Sequence, residues 1–344
     1  MKRKLFGLTK AQIGEIVQDA GLPRFTTGQI CNWLYEKHIA NIDDMTNLSK
    51  NTRELLKEEY EVGLQRPMKE TSSADGTKKY LFKVGEHRFI ETAYIPEENR
   101  KTLCVSSQVG CKMACGFCMT GKQGFQKHLS ANQILNQLRS IPEFESISNI
   151  VFMGMGEPLD NIENLMNALG VLTSDWGYGW SPKRINVSTI GLIPAMRHFI
   201  ENSNCHLAIS LHNPFDEERS AIMPVNKKHH LKDIISELRS HDFGRQRRVS
   251  FEYIVFHGMN DTPRHVKELA RLLNGLRCRI NLIRWHSIPG ADFVGTNEER
   301  LLEFQKELKD KGIQTTIRVS RGQDIDAACG LLSTKELVNE KKST

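Results

Sequence analysis

From about residue 100 onward, short apolar, β-branched runs alternate with amphipathic helical stretches, and no other feature of this 344-residue chain restricts its fold as much. Candidate strands lie at 103–107, 149–154, 185–190, 206–211, 250–256, 279–285 and 316–320. Helical periodicity falls between them, near 131–140, 161–174, 192–202, 230–240, 263–274 and 298–311. Capping boxes at Ser130-Ala-Asn-Gln133 and Thr296-Asn-Glu-Glu299 open the first and last helices. Repeated strand–helix units require parallel strands with right-handed crossovers, and about six of them curve toward a barrel or part-barrel. The expectation is an α/β chain whose chemistry sits at the C-terminal ends of the strands.

Two segments precede the barrel. Residues 1–65 read as a small helical accessory domain. The capping box Thr9-Lys-Ala-Gln12 opens a stripe of Ile13, Ile16 and Val17 that Gly21-Leu-Pro23 closes. A second helix begins similarly at Thr26-Thr-Gly-Gln29, and a third, near 49–60, presents Leu55, Leu56 and Tyr60. Such a domain either touches nucleic acid or caps the larger one. Residues 66–98 change to strand period and suggest a connecting β-hairpin turning at Gly85-Glu86. Residues 99–335 then form the barrel domain and 336–344 a tail.

Within the barrel, Cys111-Lys-Met-Ala-Cys115-Gly-Phe-Cys118 follows the first strand. Three thiolates leave a coordination position open. A structural zinc site closes its tetrahedron with four protein ligands, whereas a 4Fe–4S cluster held by three cysteines leaves one iron free for an outside ligand. The alternatives are a zinc site borrowing a distant fourth ligand, or buried cysteines that are neighbours by chance. The other five cysteines show no pairing rhythm, the opening Met-Lys-Arg-Lys-Leu-Phe-Gly lacks the apolar run of a signal peptide, and no stretch approaches a membrane span. A cytoplasmic protein without membrane contact is expected. Its formal net charge of +6 permits a polyanionic partner. Local basic clusters occur at Lys78-Lys79, Lys227-Lys228-His229-His230 and Arg245-Gln-Arg247-Arg248.

Further polar groups fall at strand ends: Gly154-Met-Gly156-Glu157-Pro158 after the second strand, Ser188 on the third, Ser210-Leu211-His212 on the fourth and His286 after Trp285. A carboxylate there suits an ammonium group, and hydroxyls and imidazoles suit a nucleoside. Ordinary strand-end hydrogen bonding accounts for any one of them taken alone.

The cysteine spacing resembles the radical S-adenosylmethionine (SAM) superfamily. Cys104-Val-Ser-Ser-Gln-Val-Gly-Cys111, Met153-Gly-Met-Gly-Glu-Pro-Leu159, Asn186-Val-Ser-Thr189 and Arg321-Gly-Gln-Asp324-Ile-Asp326-Ala-Ala-Cys329 are similar to the RlmN family of RNA methyltransferases, from about residue 5 to 333. The resemblance implies a radical SAM partial (β/α)6 barrel. It also implies a 4Fe–4S cluster on Cys111, Cys115 and Cys118, with SAM, used twice per turnover, bound by Gly156, Glu157, Ser188, Ser210, Leu211 and His212. His286 stands where the family often has asparagine and is kept as a SAM contact, while Lys127-His128 replaces the family's usual Arg-Asn.

In the activity so implied, carbon 2 of an adenosine in 23S rRNA, and of the adenosine beside the tRNA anticodon, gains a methyl group. That carbon is electrophilic, so direct displacement on SAM cannot methylate it. The family's route is covalent: Cys329 carries the methyl, Cys104 closes a transient disulfide with it, and Glu91 accepts the ring proton. A reductant such as flavodoxin or ferredoxin and a monomeric state are implied as well. The alternatives are Cfr-like methylation of carbon 8, since Cfr shares these cysteines, and a non-catalytic zinc-bound RNA-binding module.

Overall fold

The structure, a computed structural model, describes residues 2–244 and 247–334; Arg245 and the tail 336–344 lie outside the described residues. Ten strands form one sheet: β1 (Lys69–Ser72), β2 (Lys78–Gly85), β3 (Arg88–Pro96), β4 (Lys101–Cys104), β5 (Asn149–Phe152), β6 (Ile185–Thr189), β7 (His206–Ser210), β8 (Val249–Val255), β9 (Cys278–Arg284) and β10 (Gln314–Ile317). They lie side by side in chain order, antiparallel from β1 to β4 and parallel from β4 to β10.

Helices make the crossovers. After α1 (Lys10–Asp19), α2 (Thr26–Tyr35) and α3 (Lys50–Glu59), the chain runs through α4 (Met119–Gln123) and α5 (Ala131–Arg139) to β5, and through α6 (Ile162–Thr173) to β6. It continues by α7 (Ile193–Asn202) to β7, by α8 (Asp216–Ile222) and α9 (Leu231–Arg239) to β8, by α10 (Pro263–Leu273) to β9, and by α11 (Glu298–Asp310) to β10. This is the expected α/β part-barrel, six crossovers joining seven parallel strands. The sheet is rolled, because Asn149, Ile185, His206, Ser250, Arg279 and Thr316, one from each strand β5 to β10, line a single cavity. Every position of β8 is buried, as a central parallel strand covered on both faces requires.

Several local features differ from the sequence expectation, each for a physical reason. The helix at Thr26 has no side-chain cap: Phe25 is already helical, because the Pro23 carbonyl accepts from the Thr26 N–H and the turn itself starts the helix. Asn297, not Thr296, caps α11, and the Thr296 hydroxyl bonds Asp261 instead. β10 lies two residues before its expected start and ends before Val319, which is exposed. The hairpin β2–β3 gains β1, a polar edge strand without alternating apolar residues to announce it. α8 has only Arg219 and Ile222 buried, too short a pattern to register as a helix.

The N-terminal helices are docked rather than tethered. Arg3–Lys4 pairs in parallel with Tyr60–Glu61, and the Asn132 amide on α5 donates to the carbonyls of Phe6 at 2.9 Å and Gly63 at 3.1 Å. Tyr35 on α2 packs edge-on against Trp176 and beside Tyr178 in the loop after α6. Among the described residues no helix is long and apolar enough to cross a membrane.

Beyond β10 the chain becomes a strap held on two sides. The turn between β1 and β2 grips its start: Ser73 Oγ donates to Asp324 at 2.6 Å, the Ala74 N–H to the same carboxylate at 3.1 Å, and the Gly322 N–H to Asp75 at 2.9 Å. Burial acts to raise the Asp75 carboxyl, but hydrogen bonds from Thr77 and Gly322 outweigh it and hold the group down to about 2. The far end docks on α4. The Met119 N–H donates to the Gly330 carbonyl at 2.9 Å, Thr120 Oγ1 to that of Leu332 at 2.6 Å, and Gln123 bonds Thr334. Asp324→Ala should therefore speed limited proteolysis of the strap severalfold while leaving the melting temperature of the barrel within a few degrees; an unchanged cleavage rate would show that the grip of the β1–β2 turn is dispensable.

Candidate active site

The cysteine loop follows β4 and is fixed through its backbone. The Gly116 N–H donates to the Ile222 carbonyl at 3.0 Å, the Cys118 N–H to that of Cys115 at 3.2 Å, and Ala114 takes a left-handed φ of +52°. Cys111, Cys115 and Cys118 line one cavity together with Gly156, Glu157 and Ser188. Ser210, His212 and Cys329 complete its wall. Among the described residues no three His, Cys, Asp or Glu side chains converge as the ligands of a single ion would. All three cysteines line the same cavity. Burial pushes the Cys111 thiol up to about 12 and raises Cys115 and Cys118 as well, so each gives up its proton to solvent only when a strongly cationic group binds and stabilises the thiolate.

Glu157 is buried at the cavity wall. Its Oε1 accepts from Thr189 Oγ1 at 2.6 Å and the Leu159 N–H at 3.1 Å, and its Oε2 from the Ile190 N–H at 3.0 Å. Burial nonetheless lifts the carboxyl to about 7. Three protein donors fix its orientation and leave Oε2 room for one more, which suits an ammonium ligand. Gly156 holds the loop open: at φ +98° a Cβ would lie 2.5 Å from that of Gln108. Gln108 accepts from the Glu157 N–H at 2.9 Å and meets His128 Nδ1 at 3.1 Å, so the departure at His128 has a place in the wall's support.

His212 also reaches the cavity from a left-handed backbone, φ +54°. Its Nδ1 faces the Ile254 N–H at 3.0 Å and must accept from it, leaving the proton on Nε2. Burial, then Arg219, drives the imidazole down to about 3, so His212 is neutral. Ser188 and Ser210 line the same wall. Leu211 and His286 do not. Leu211 is fully buried behind the strand end, with its carbonyl facing Arg219, and His286 Nε2 meets Ser320 Oγ at 2.9 Å.

Cys104 and Cys329, remote in sequence, line a second cavity with Met153, Arg318 and Ala327. Both are free thiols, Cys104 buried and Cys329 exposed. Burial, reinforced by Cys329, pushes Cys104 up to about 12. Arg318 lines both cavities, and its Nη1 lies 3.2 Å from Met153 Sδ and 3.5 Å from Glu252 Oε2. Glu91 lines neither. Two residues before Ala93, which pairs with Cys104 across β3 and β4, its carboxylate meets Lys79 Nζ at 3.0 Å and accepts from the Ser333 N–H at 3.0 Å.

Comparison with known proteins closes the argument. Residues 105–273 match the Radical SAM superfamily, and residues 3–62 match the ribosomal RNA large subunit methyltransferase N-terminal domain. A protein of Bacteroides fragilis (strain YCH46) named probable dual-specificity RNA methyltransferase RlmN is 53% identical over 342 residues, covering 99% of each chain. Another from Marinobacter nauticus, named dual-specificity RNA methyltransferase RlmN, is 40% identical over 96% of this chain and 92% of its own. The crystal structure of a radical SAM methyltransferase from Sphaerobacter thermophilus superposes with a TM-score of 0.88 at 38% identity, covering 96% of this chain and 98% of that one. The chain belongs to the RlmN family.

RlmN proteins are radical SAM enzymes, and the residues here fit the group they carry. Three cysteines on one cavity suit a 4Fe–4S cluster, and the neighbouring carboxylate, hydroxyls and neutral imidazole suit the polar ends of SAM. Sequence reasoning missed Thr189 and Gln108, which orient Glu157. It also missed Arg219, fully buried behind the cysteine loop. Arg219 donates to the carbonyls of Leu211 at 3.1 Å, Ile190 at 2.9 Å and Ser210 at 2.7 Å, and to the Asn226 amide oxygen. An arginine in an acidic-looking segment gave no signal of that role. Arg219→Met leaves those acceptors buried without donors, at a cost of about 3 kcal/mol or more. A clear fall in melting temperature and in iron bound per chain is expected, and an unchanged melting curve would contradict it.

Proposed function

We propose that this RlmN-family enzyme methylates carbon 2 of one adenosine in 23S rRNA and of the adenosine beside the anticodon in tRNA, through a methylated cysteine and a transient disulfide. The observation that carries this reading is the cavity walled by both Cys104 and Cys329, next to the cavity of the three clustered cysteines. When bound, SAM supplies the methyl group and, reduced at the cluster, the means to remove hydrogen from an unactivated carbon.

Cys329, exposed and on the strap, is the acceptor of the methyl group. Through that carbon its sulfur becomes joined to adenine. The adduct must give up one electron, for which a cluster held by Cys111, Cys115 and Cys118 would be the acceptor, and its ring proton leaves to Glu91; Cys104 then attacks the Cys329 sulfur, the S–S bond forms as the S–C bond breaks, and the released carbon takes a proton to become methyl. Two reducing equivalents restore the thiols. Burial keeps Cys104 protonated at rest, and Arg318, close to both cysteines, favours a thiolate when the attack occurs. A target base must leave its stack to reach such a site, so a single-stranded or loop adenosine is the substrate.

Burial outweighs Lys79 and raises the Glu91 carboxyl above its ordinary value. A raised carboxyl stays protonated to higher pH, so resolution of the adduct should slow as pH falls through that value, and Glu91→Gln should abolish this limb while still permitting the adduct. Cys104→Ala tests the covalent route. Cluster and SAM cleavage should persist while protein joined to RNA through Cys329 accumulates as a band stable to denaturant. Release of methylated adenosine at a normal rate without that band would overturn the proposal.

A further inference from the structure

Below the two cavities just described, at the N-terminal ends of the barrel strands, lies a third of about 370 Å³. Arg100, Lys183, Arg248 and Arg279 line it, and among the described residues none of these four side chains has a hydrogen bond or an ion pair. Its one carboxylate, Glu252, is engaged by Asn281 at 2.8 Å and Arg318 at 3.5 Å. Like charges gathered this closely are costly unless an anion joins them. His206, on the same wall, registers the excess: burial, followed by Arg248, Arg247, Arg279 and Lys183, drives it down to about 4. The cavity is not tuned for a bare anion alone, because Asn186 Oδ1 is buried on its wall with no partner and calls for a donor such as a hydroxyl.

The cavity is continuous with the chemistry. It shares Arg100, Val151, Met153 and Arg318 with the Cys104–Cys329 cavity, and Met153, Glu252 and Arg318 with that of the clustered cysteines. Three other basic groups singled out in the sequence are engaged elsewhere. Lys78 pairs with Glu70 and Glu143, Lys79 with Glu91, and Arg247 donates to the carbonyls of Cys205 and Ile200.

We infer that the N-terminal mouth of the barrel is a ribose-phosphate subsite: Lys183, Arg248 and Arg279 hold backbone phosphates of the RNA strand whose adenosine reaches Cys329, and Asn186 accepts from a ribose hydroxyl. This rests on the RNA substrate proposed above. A phosphate contact fixes register without reading sequence and makes binding salt-dependent.

The test compares wild type with the triple variant Lys183→Gln, Arg248→Gln, Arg279→Gln, as cluster-loaded enzyme, against a 23S rRNA fragment containing the target adenosine. The variant should keep its iron content and SAM binding, bind RNA at least tenfold more weakly at low salt, and show a log K against log salt slope smaller by about two. An unchanged slope in a variant that binds SAM normally overturns the subsite. Should the triple variant fold poorly, Arg248→Gln alone, at an exposed position, is expected to lower the slope by about 0.7–0.9. Pyrophosphate separates the sources of phosphate: if the variant loses protection by pyrophosphate against thermal unfolding but keeps the RNA slope, a free anion is the ligand and the inference fails. Wild type that methylates RNA while the slope is unmoved refutes the subsite only; wild type that neither binds nor methylates RNA refutes the functional proposal and the subsite with it.

Discussion

Cys329 reaches the barrel because the strap after β10 is clamped from both sides, by Asp75 and the Ser73–Asp324 pair on the β1–β2 turn and by the Met119–Gly330 and Thr120–Leu332 bonds on α4. Everything specific to this site follows from that clamp. The second contact begins one residue after Cys118, so the same short helix that ends the cysteine loop also positions the strap. The antiparallel strands before the barrel thereby acquire a purpose beyond extending a sheet: their turn is one jaw of the clamp. The left-handed residues Gly322, Asp326 and Gly330 let the strap bend sharply enough to satisfy both jaws.

Buried charge is the second organising theme. Arg219 ties three strand-end carbonyls together behind the cysteine loop, and Glu157 ties the second strand loop to the third. Each is desolvated and therefore destabilising unless its hydrogen bonds are complete. Their completeness makes the strand ends rigid before any ligand binds, which is what orienting a reactive small molecule requires. Arg318 differs, with one sulfur contact and one long carboxylate contact, and it stands where all three cavities meet.

Much of the barrel was legible because alternating apolar runs and helical stripes are strong periodic signals, and the motifs at strand ends followed from them. The polar edge strand β1 and the short helix α8 carried no such signal, and boundaries moved where tertiary bonds replaced local caps, as at Phe25 and Asn297. Cys111, Cys115 and Cys118 announced themselves by spacing. Cys104 and Cys329 did not, since only the folded strap makes them neighbours, and their roles entered through resemblance alone. Basic residues misled: Lys79 and Arg247 read as surface charge but are held by Glu91 and by backbone carbonyls. The cations that gather at the N-terminal mouth, Lys183, Arg248 and Arg279, come from three separate strand starts, and only Arg248 belonged to a basic run.

The central claim is that this cavity methylates an adenine carbon that no direct displacement can reach. Mass spectrometry of nucleosides digested from 23S rRNA and tRNA, after reaction with reconstituted enzyme, tests it most directly. The account predicts adenosine methylated at carbon 2 at one site in each RNA. Methylation at carbon 8, or no methylated adenosine from an enzyme that holds its cluster and cleaves SAM, would contradict it.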